Sequence, residues 1–169
     1  MAGTLSPGNS PGTLSTGSEV WMNGGNLNWQ VFDAAEAAGT GYDTVVITGG
    51  LNLANLTSDG FSVNLWSLSA VGPDSSGNAR HFVDANNYSW TLVSTTAGIT
   101  GFSAGDFTIN TLRNNGTDGF SNPFTGKFSV DVSGNSLQLI YTAVPEPATW
   151  ALIGLAALGL AATRRRRNG

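Results

Sequence analysis

Lys127-Phe128-Ser129-Val130-Asp131-Val132, then Ser133-Gly134-Asn135-Ser136, then Leu137-Gln138-Leu139-Ile140-Tyr141 is the stretch that decides the fold class. Phe128, Val130 and Val132 alternate with polar residues, the two-residue period of a half-buried strand. Ser-Gly-Asn-Ser supplies turn chemistry. Leu137, Leu139 and Tyr141 then repeat the alternation. Two such runs about a short turn read as a β-hairpin with one face on a core.

The same pattern extends towards the N-terminus. Tyr88, Trp90 and Leu92 share one face of a strand over 88–94, and Phe107–Leu112 forms another. Phe61, Val63 and Leu65 alternate with Ser62 and Asn64, in a strand running to Leu68. Thr44–Thr48 is rich in Val and Ile and too short for a helix, so it reads as a buried strand. Leu51–Leu56 is a weaker strand. Glu19–Met22 and Leu27–Phe32 flank Asn23-Gly24-Gly25-Asn26, a hairpin signal. Ala79–Ala85 predicts a helical turn, because Phe82 and Val83 need burial. The expected core contains Val45 or Val46, Ile47, Phe61, Val63, Leu65, Trp90, Leu92, Phe107, Ile109, Phe128, Val130, Leu137 and Leu139. The fold class is therefore all-β: an antiparallel-rich β-sandwich or β-helix cap, followed by a single C-terminal transmembrane helix.

The chain divides into three parts. Residues 1–18 are a turn-rich linker or last solenoid rung, 19–142 a β domain, and 143–169 a signal segment. In the first part, two Gly-Thr-Leu-Ser units (Gly3–Ser6 and Gly12–Ser15) flank Pro7-Gly8-Asn9-Ser10-Pro11-Gly12. Pro-Gly pairs suit type II turns, and short Thr-Leu strands between turns fit one rung of a solenoid. This segment resembles autotransporter-associated β-strand repeats. That resemblance implies a bacterial surface β-helix ending in a β domain and an anchoring signal.

The signal segment has three parts in order: Pro145-Glu146-Pro147, an uncharged apolar run, and Arg164-Arg165-Arg166-Arg167. The run over about 148–163 favours helix in lipid, where backbone polar groups must be satisfied internally. Sixteen residues at ~1.5 Å each give ~24 Å, short of a ~30 Å hydrocarbon core. Snorkelling arginines and local thinning close the gap. The arginines belong on the cytoplasmic side, and the residues before Val144 on the other. A soluble helix of this length would show a polar face, and none is present.

This tail resembles the PEP-CTERM sorting signal of Gram-negative, biofilm-forming bacteria. The resemblance implies that Pro145, Glu146 and Pro147 are recognised by exosortase, a membrane transpeptidase or protease. It also implies that the helix and Arg164–Arg167 are discarded after sorting. Residence is then the inner membrane before processing, and the cell surface or extracellular matrix afterwards, where exopolysaccharide is a partner.

Composition narrows the rest. Only 11% of the 169 residues are charged, and 23 are Gly. Before the arginine block, Arg80, Arg113 and Lys127 stand against eleven acidic residues. Such an acidic body argues against nucleic-acid binding, which wants a basic footprint. The absence of cysteine excludes disulfides and thiolate chemistry. Met1–Val20 lacks both a basic residue and an apolar run. An export-dependent tail without an export signal predicts a C-terminal fragment, or a gene model that starts too late.

No cofactor, metal site or catalytic residue is expected. Asn114-Asn115-Gly116-Thr117-Asp118-Gly119 is a poor calcium loop: Gly116 fails the third position and no Glu follows at the twelfth. Glu19, Asp33, Glu36 and Asp43 are the candidates for a glycosidase carboxylate pair. They fall in turns and at strand edges, as solvated groups do. His81, the sole histidine, reads as a partly exposed loop or core-edge residue. Trp21, Trp29, Trp66 and Trp90 are candidates for stacking on sugar rings, against the commoner use of aromatics as core payload. Trp66, opposite Phe61, Val63 and Leu65, is the best candidate for exposure and so for sugar stacking. The resulting expectation is an exported, exosortase-sorted surface protein that is not an enzyme. Its β domain is structural or adhesive, with a carbohydrate-binding module as the alternative and a glycoside-active enzyme as a weaker rival.

Overall fold

In the computed structural model, residues 2–8, 10–72, 75–112 and 119–145 are described. They form twelve strands and a single 3-10 turn, with no α-helix among them. The chain passes through three sheets in rotation. The first pass contributes β1 (Thr4–Leu5), β2 (Thr13–Thr16) and β3 (Glu19–Val20). The second contributes β4 (Gly25–Val31), β5 (Thr44–Ile47) and β6 (Leu51–Asn52). The third contributes β7 (Phe61–Ser67), β8 (Tyr88–Thr95) and β9 (Ile99–Thr100). A 3-10 turn at Ala104–Asp106 then leads into β10 (Phe107–Asn110), which starts a fourth pass. The hairpin β11 (Lys127–Ser133) and β12 (Ser136–Thr142) follows.

Equivalent strands of successive passes stack in parallel. The first sheet runs β1-β4-β7-β10 and the third β3-β6-β9. The second runs β2-β5-β8 in parallel, then adds β12 and β11 antiparallel. Seven of the nine strand pairings are parallel. The expected antiparallel-rich sheet is thus corrected to a mainly parallel coil. Alternation reports which face of a strand is buried. It carries no information about the direction of the neighbouring strand.

The expected hairpin about Asn23–Asn26 is corrected for the same reason. Glu19–Val20 and Gly25–Val31 lie in different sheets and do not pair. The Gly-rich segment turns a corner instead, with Gly24 at φ +81°. Corners of successive passes stack on one another. The Gly24 N–H donates to Gly60 O (2.8 Å), and Asp59 N–H to Gly105 O (2.9 Å). Asn23 knits the same corner to Thr57, accepting from its N–H (3.0 Å) and donating to its Oγ1 (2.9 Å). At the next corner, Glu19 N–H donates to Gly50 O and Leu51 N–H to Gly98 O, both 3.0 Å. The helical turn expected at 79–85 does not form. Phe82 gains its burial from rings instead, packing on Tyr88, Phe120 and Tyr141.

Inward rows fill the coil. Leu5, Leu27, Val63 and Ile109 stand in one row, and Gly25, Phe61 and Phe107 in another. Gly25 is small because Phe61 needs the space: a Cβ there would lie 2.6 Å from the Phe61 ring. Trp21 stacks on Phe61 at 4.2 Å between centroids. Trp29 leans on Tyr42 and Trp90. Of the expected core, Val45 is buried while Val46 is half-exposed. Ile109 and Phe128 pack only partly against the core. Leu27, Val31, Leu51 and Leu53 join it unforeseen. The expected hairpin forms, and the structure sets its register: Phe128 faces Tyr141, Val130 faces Leu139 and Val132 faces Leu137.

Candidate functional site

The outer face of the first sheet carries polar residues in rows across the strands. Thr4, Asn26, Ser62 and Thr108 form one row. The next holds Asn28, Asn64 and Asn110 in register. Ser6 continues it, since Asn28 Nδ2 donates to Ser6 Oγ (3.2 Å). Asn64 Nδ2 in turn donates to Asn28 Oδ1 (2.8 Å). Strand alternation produces this face: its odd-numbered neighbours Leu27, Trp29, Val63 and Leu65 all point into the core.

Beyond the Asn row, Gln30 and Trp66 lie side by side in register. The β1–β2 connection passes over them and closes a groove of about 220 Å³. Its floor is Asn28, Gln30, Asp43 and Trp66, and its wall is Ser6, Pro7, Gly8 and Ser10. Gln30, Asp43 and Ser10 are buried. The Asp43 carboxylate accepts from Gly12 N–H (2.7 Å) and Gln30 N–H (3.0 Å). Burial dominates its proton affinity and pushes it up to about 7, against the pull of those two N–H groups. The Ser10 hydroxyl bonds the Gln30 side chain. Trp66 is half-buried, and its enclosed Nε1 has no hydrogen-bond partner.

The other sequence candidates sit elsewhere. Trp21, Trp29 and Trp90 are core residues. Glu19 accepts from the Trp21 indole (2.6 Å). Glu36 is exposed. Asp33 is buried and bonded through both oxygens to His81 Nδ1 (2.8 and 2.9 Å). Burial pushes Asp33 up, but His81, the Ala35 N–H and Arg80 together outweigh it, and the carboxyl lies below its ordinary value. His81 itself is exposed, at φ +54°. Each of Glu19, Asp33 and Asp43 therefore has partners of its own. Among the described residues, no three His, Asp or Glu side chains group to hold a metal. The calcium-like segment lies, but for Gly119, outside the described residues.

At the C-terminal end, β12 stops at Thr142, and the Ala143 N–H is held by Asn87 Oδ1 (2.9 Å). Val144 and Pro145 are exposed. Glu146, Pro147, the apolar run over 148–163 and Arg164–Arg167 lie outside the described residues. Among the described residues, no helix is long and apolar enough to cross a membrane.

A compact β body ending abruptly before an apolar, arginine-terminated tail defines a protein with a C-terminal sorting signal. The signal is of a known type: residues 143–167 match the PEP-CTERM protein-sorting motif. Such a motif implies an exported protein sorted by exosortase, a membrane enzyme. The match begins at the residue after β12 and leaves the β body unassigned. No match to the autotransporter-associated repeats accompanies it, so the resemblance read at residues 3–15 is not supported. No curated protein and no solved structure matches the chain.

The groove residues Ser10, Gln30 and Asp43 were not singled out as a group by sequence reasoning. Ser10 lies 20 positions before Gln30, and Gln30 13 before Asp43, and no local pattern marks them. The Asn row was equally hidden, because Asn28 and Asn64 lie 36 residues apart.

Proposed function

We propose that this chain is a surface or matrix protein whose β domain stands outside the inner membrane on a transient C-terminal anchor. Exosortase recognises Pro145, Glu146 and Pro147 and separates the body from its helix. Arg164–Arg167 hold the cytoplasmic side until then. The observation that carries this reading is the sorting-motif match at residues 143–167, directly after the last strand. Exposure of Val144 and Pro145 supports it, since a membrane enzyme needs extended, accessible chain.

The β domain serves as a structural or adhesive module that terminates a parallel stack. Its hairpin occupies the place of a next parallel strand beside β8. The outer strand β11 presents Lys127 and Asp131 to solvent, which discourages edge-to-edge pairing. At the other end, among the described residues β1 and β2 each have a single strand neighbour, a geometry that a further parallel rung would extend.

The test is mass spectrometry of an export-competent version made in exosortase-positive cells. The released protein is expected to lack the tail, and the same protein from exosortase-negative cells to keep it. Intact Arg164–Arg167 in the released form would refute the reading.

A further inference from the structure

We propose that the outer face of the first sheet, with the groove at Trp66, is a binding site for the neutral sugar rings of an uncharged polysaccharide. The proposal does not depend on how the tail is sorted.

Three observations carry it. The first is shape. A groove of about 220 Å³ is smaller than the roughly 300–1,000 Å³ of sites for drug-sized ligands. That suits one pyranose ring better than a cofactor. The second is the mixture of surfaces. Trp66 supplies an aromatic surface in the groove floor for the apolar C–H face of a sugar, and its amphipathic ring suits a half-wet site. Asn28 and Gln30 supply carboxamides beside it. A carboxamide offers two donors and an acceptor oxygen with two lone pairs, matching hydroxyl groups that both give and take hydrogen bonds. In the ladder, Asn28 spends one N–H on Ser6 and uses its oxygen for Asn64. Capacity for a ligand remains. The Trp66 Nε1–H is enclosed and has no acceptor among the described residues, so the part of the indole offered to a ligand is its apolar ring.

The third observation is charge and extent. The groove holds one carboxyl, Asp43, and no Lys or Arg among its lining residues. An anionic sugar finds no counter-charge there, whereas a neutral one needs none. The row of Thr4, Asn26, Ser62 and Thr108 crosses all four strands and the row of Asn28, Asn64 and Asn110 crosses three, at the ~4.8 Å spacing of neighbouring strands. A saccharide chain lying across the strands therefore meets polar groups at regular intervals, alongside the Gln30–Trp66 row. Gln30 and Ser10, buried and bonded to each other, hold the groove wall in place.

The experiment is isothermal titration of the full chain, kept in a detergent without a sugar headgroup. The probes are cellohexaose, laminarihexaose and mannohexaose, with oligogalacturonate as the anionic control. Binding of at least one neutral hexaose is expected, with oligogalacturonate silent. Trp66→Ala should weaken that binding at least tenfold, and Trp66→Phe, which keeps an aromatic face, by less than about threefold. Near-ultraviolet circular dichroism of both variants checks that they are folded. If Trp66→Ala is not folded, Asn28→Ala with Asn64→Ala replaces it and is held to the same tenfold loss. Silence with all three neutral hexaoses overturns the proposal. So does preference for oligogalacturonate, or equal affinity in folded Trp66→Ala. None of these outcomes bears on tail removal, which is read in cells.

Discussion

A carboxylate placed at Val130 tests the packing of the hairpin on the coil. Val130 is 3% exposed on β11, opposite Leu139, which pairs in turn with Trp90. Val130→Asp removes an apolar side chain whose burial is worth about 1.5–3 kcal/mol. It also places a carboxyl among apolar neighbours, at an effective cost of several kcal/mol whether it stays charged or is forced to take a proton. The total is about 5 kcal/mol or more, against the roughly 5–15 kcal/mol that holds an ordinary domain folded. Ser129→Asp is the matched control. Ser129 is exposed on the opposite face, so its change should stay within about 0.5 kcal/mol. Both variants are compared by urea denaturation of a version ending at Ala143. Tryptophan fluorescence is the probe, because Trp21, Trp29 and Trp90 are all buried. With a slope of about 2 kcal/mol per molar urea, Val130→Asp should lower the midpoint by about 2 M or more, and Ser129→Asp by less than about 0.3 M. Equal midpoints would refute the reasoning, since Val130 would then not face a packed core.

Asp43 makes stability depend on pH with an inverted sign for a carboxylate. Its folded pKa of about 7 lies above the ordinary 3.8, so the folded state holds the proton more tightly and stability falls as pH rises between those values. The loss is on the order of 4 kcal/mol. Asp43→Asn should flatten urea midpoints across about pH 4.5 to 8, and an unchanged slope would assign the effect elsewhere. Tyr141→Phe should cost about 1–3 kcal/mol in the same assay, because the Tyr141 hydroxyl accepts the buried Gly126 N–H (2.9 Å) while donating to Asp84. A variant as stable as the parent would show that this tie does not hold the 119–126 segment. Gly101→Ala should be markedly more destabilising than Gly134→Ala. Both glycines have positive φ, but only at Gly101 does an added Cβ fall 2.5 Å from the Ala54 backbone. About 1–2 kcal/mol is expected for Gly134→Ala from backbone strain alone, and clearly more for Gly101→Ala. Equal losses would mean the corner yields.

The sequence by itself determined that this is a β protein with a sorting tail, and which face of most strands is buried. The reason is local: alternation, turn residues and an uncharged apolar run are properties of a few neighbouring residues. The 128–141 hairpin was legible as two strands about a tight turn with one buried face, because alternation and turn residues are local signals. Strand direction and sheet membership were not legible. Equivalent inward positions fall at Leu5, Leu27, Val63 and Ile109, at spacings of 22, 36 and 46 residues. Segments of unequal length between strands, such as 32–43 and 68–87, hide the period that a regular solenoid would display. The Gly-rich corner at 23–26 looked like a hairpin because glycine permits either turn, and only stacking against Gly60 decides between them. Trp66 was marked as outward-facing by alternation alone. The groove beside it was decided by tertiary structure, which brings Ser10, Gln30 and Asp43 together from three separate segments and closes the space with the β1–β2 connection.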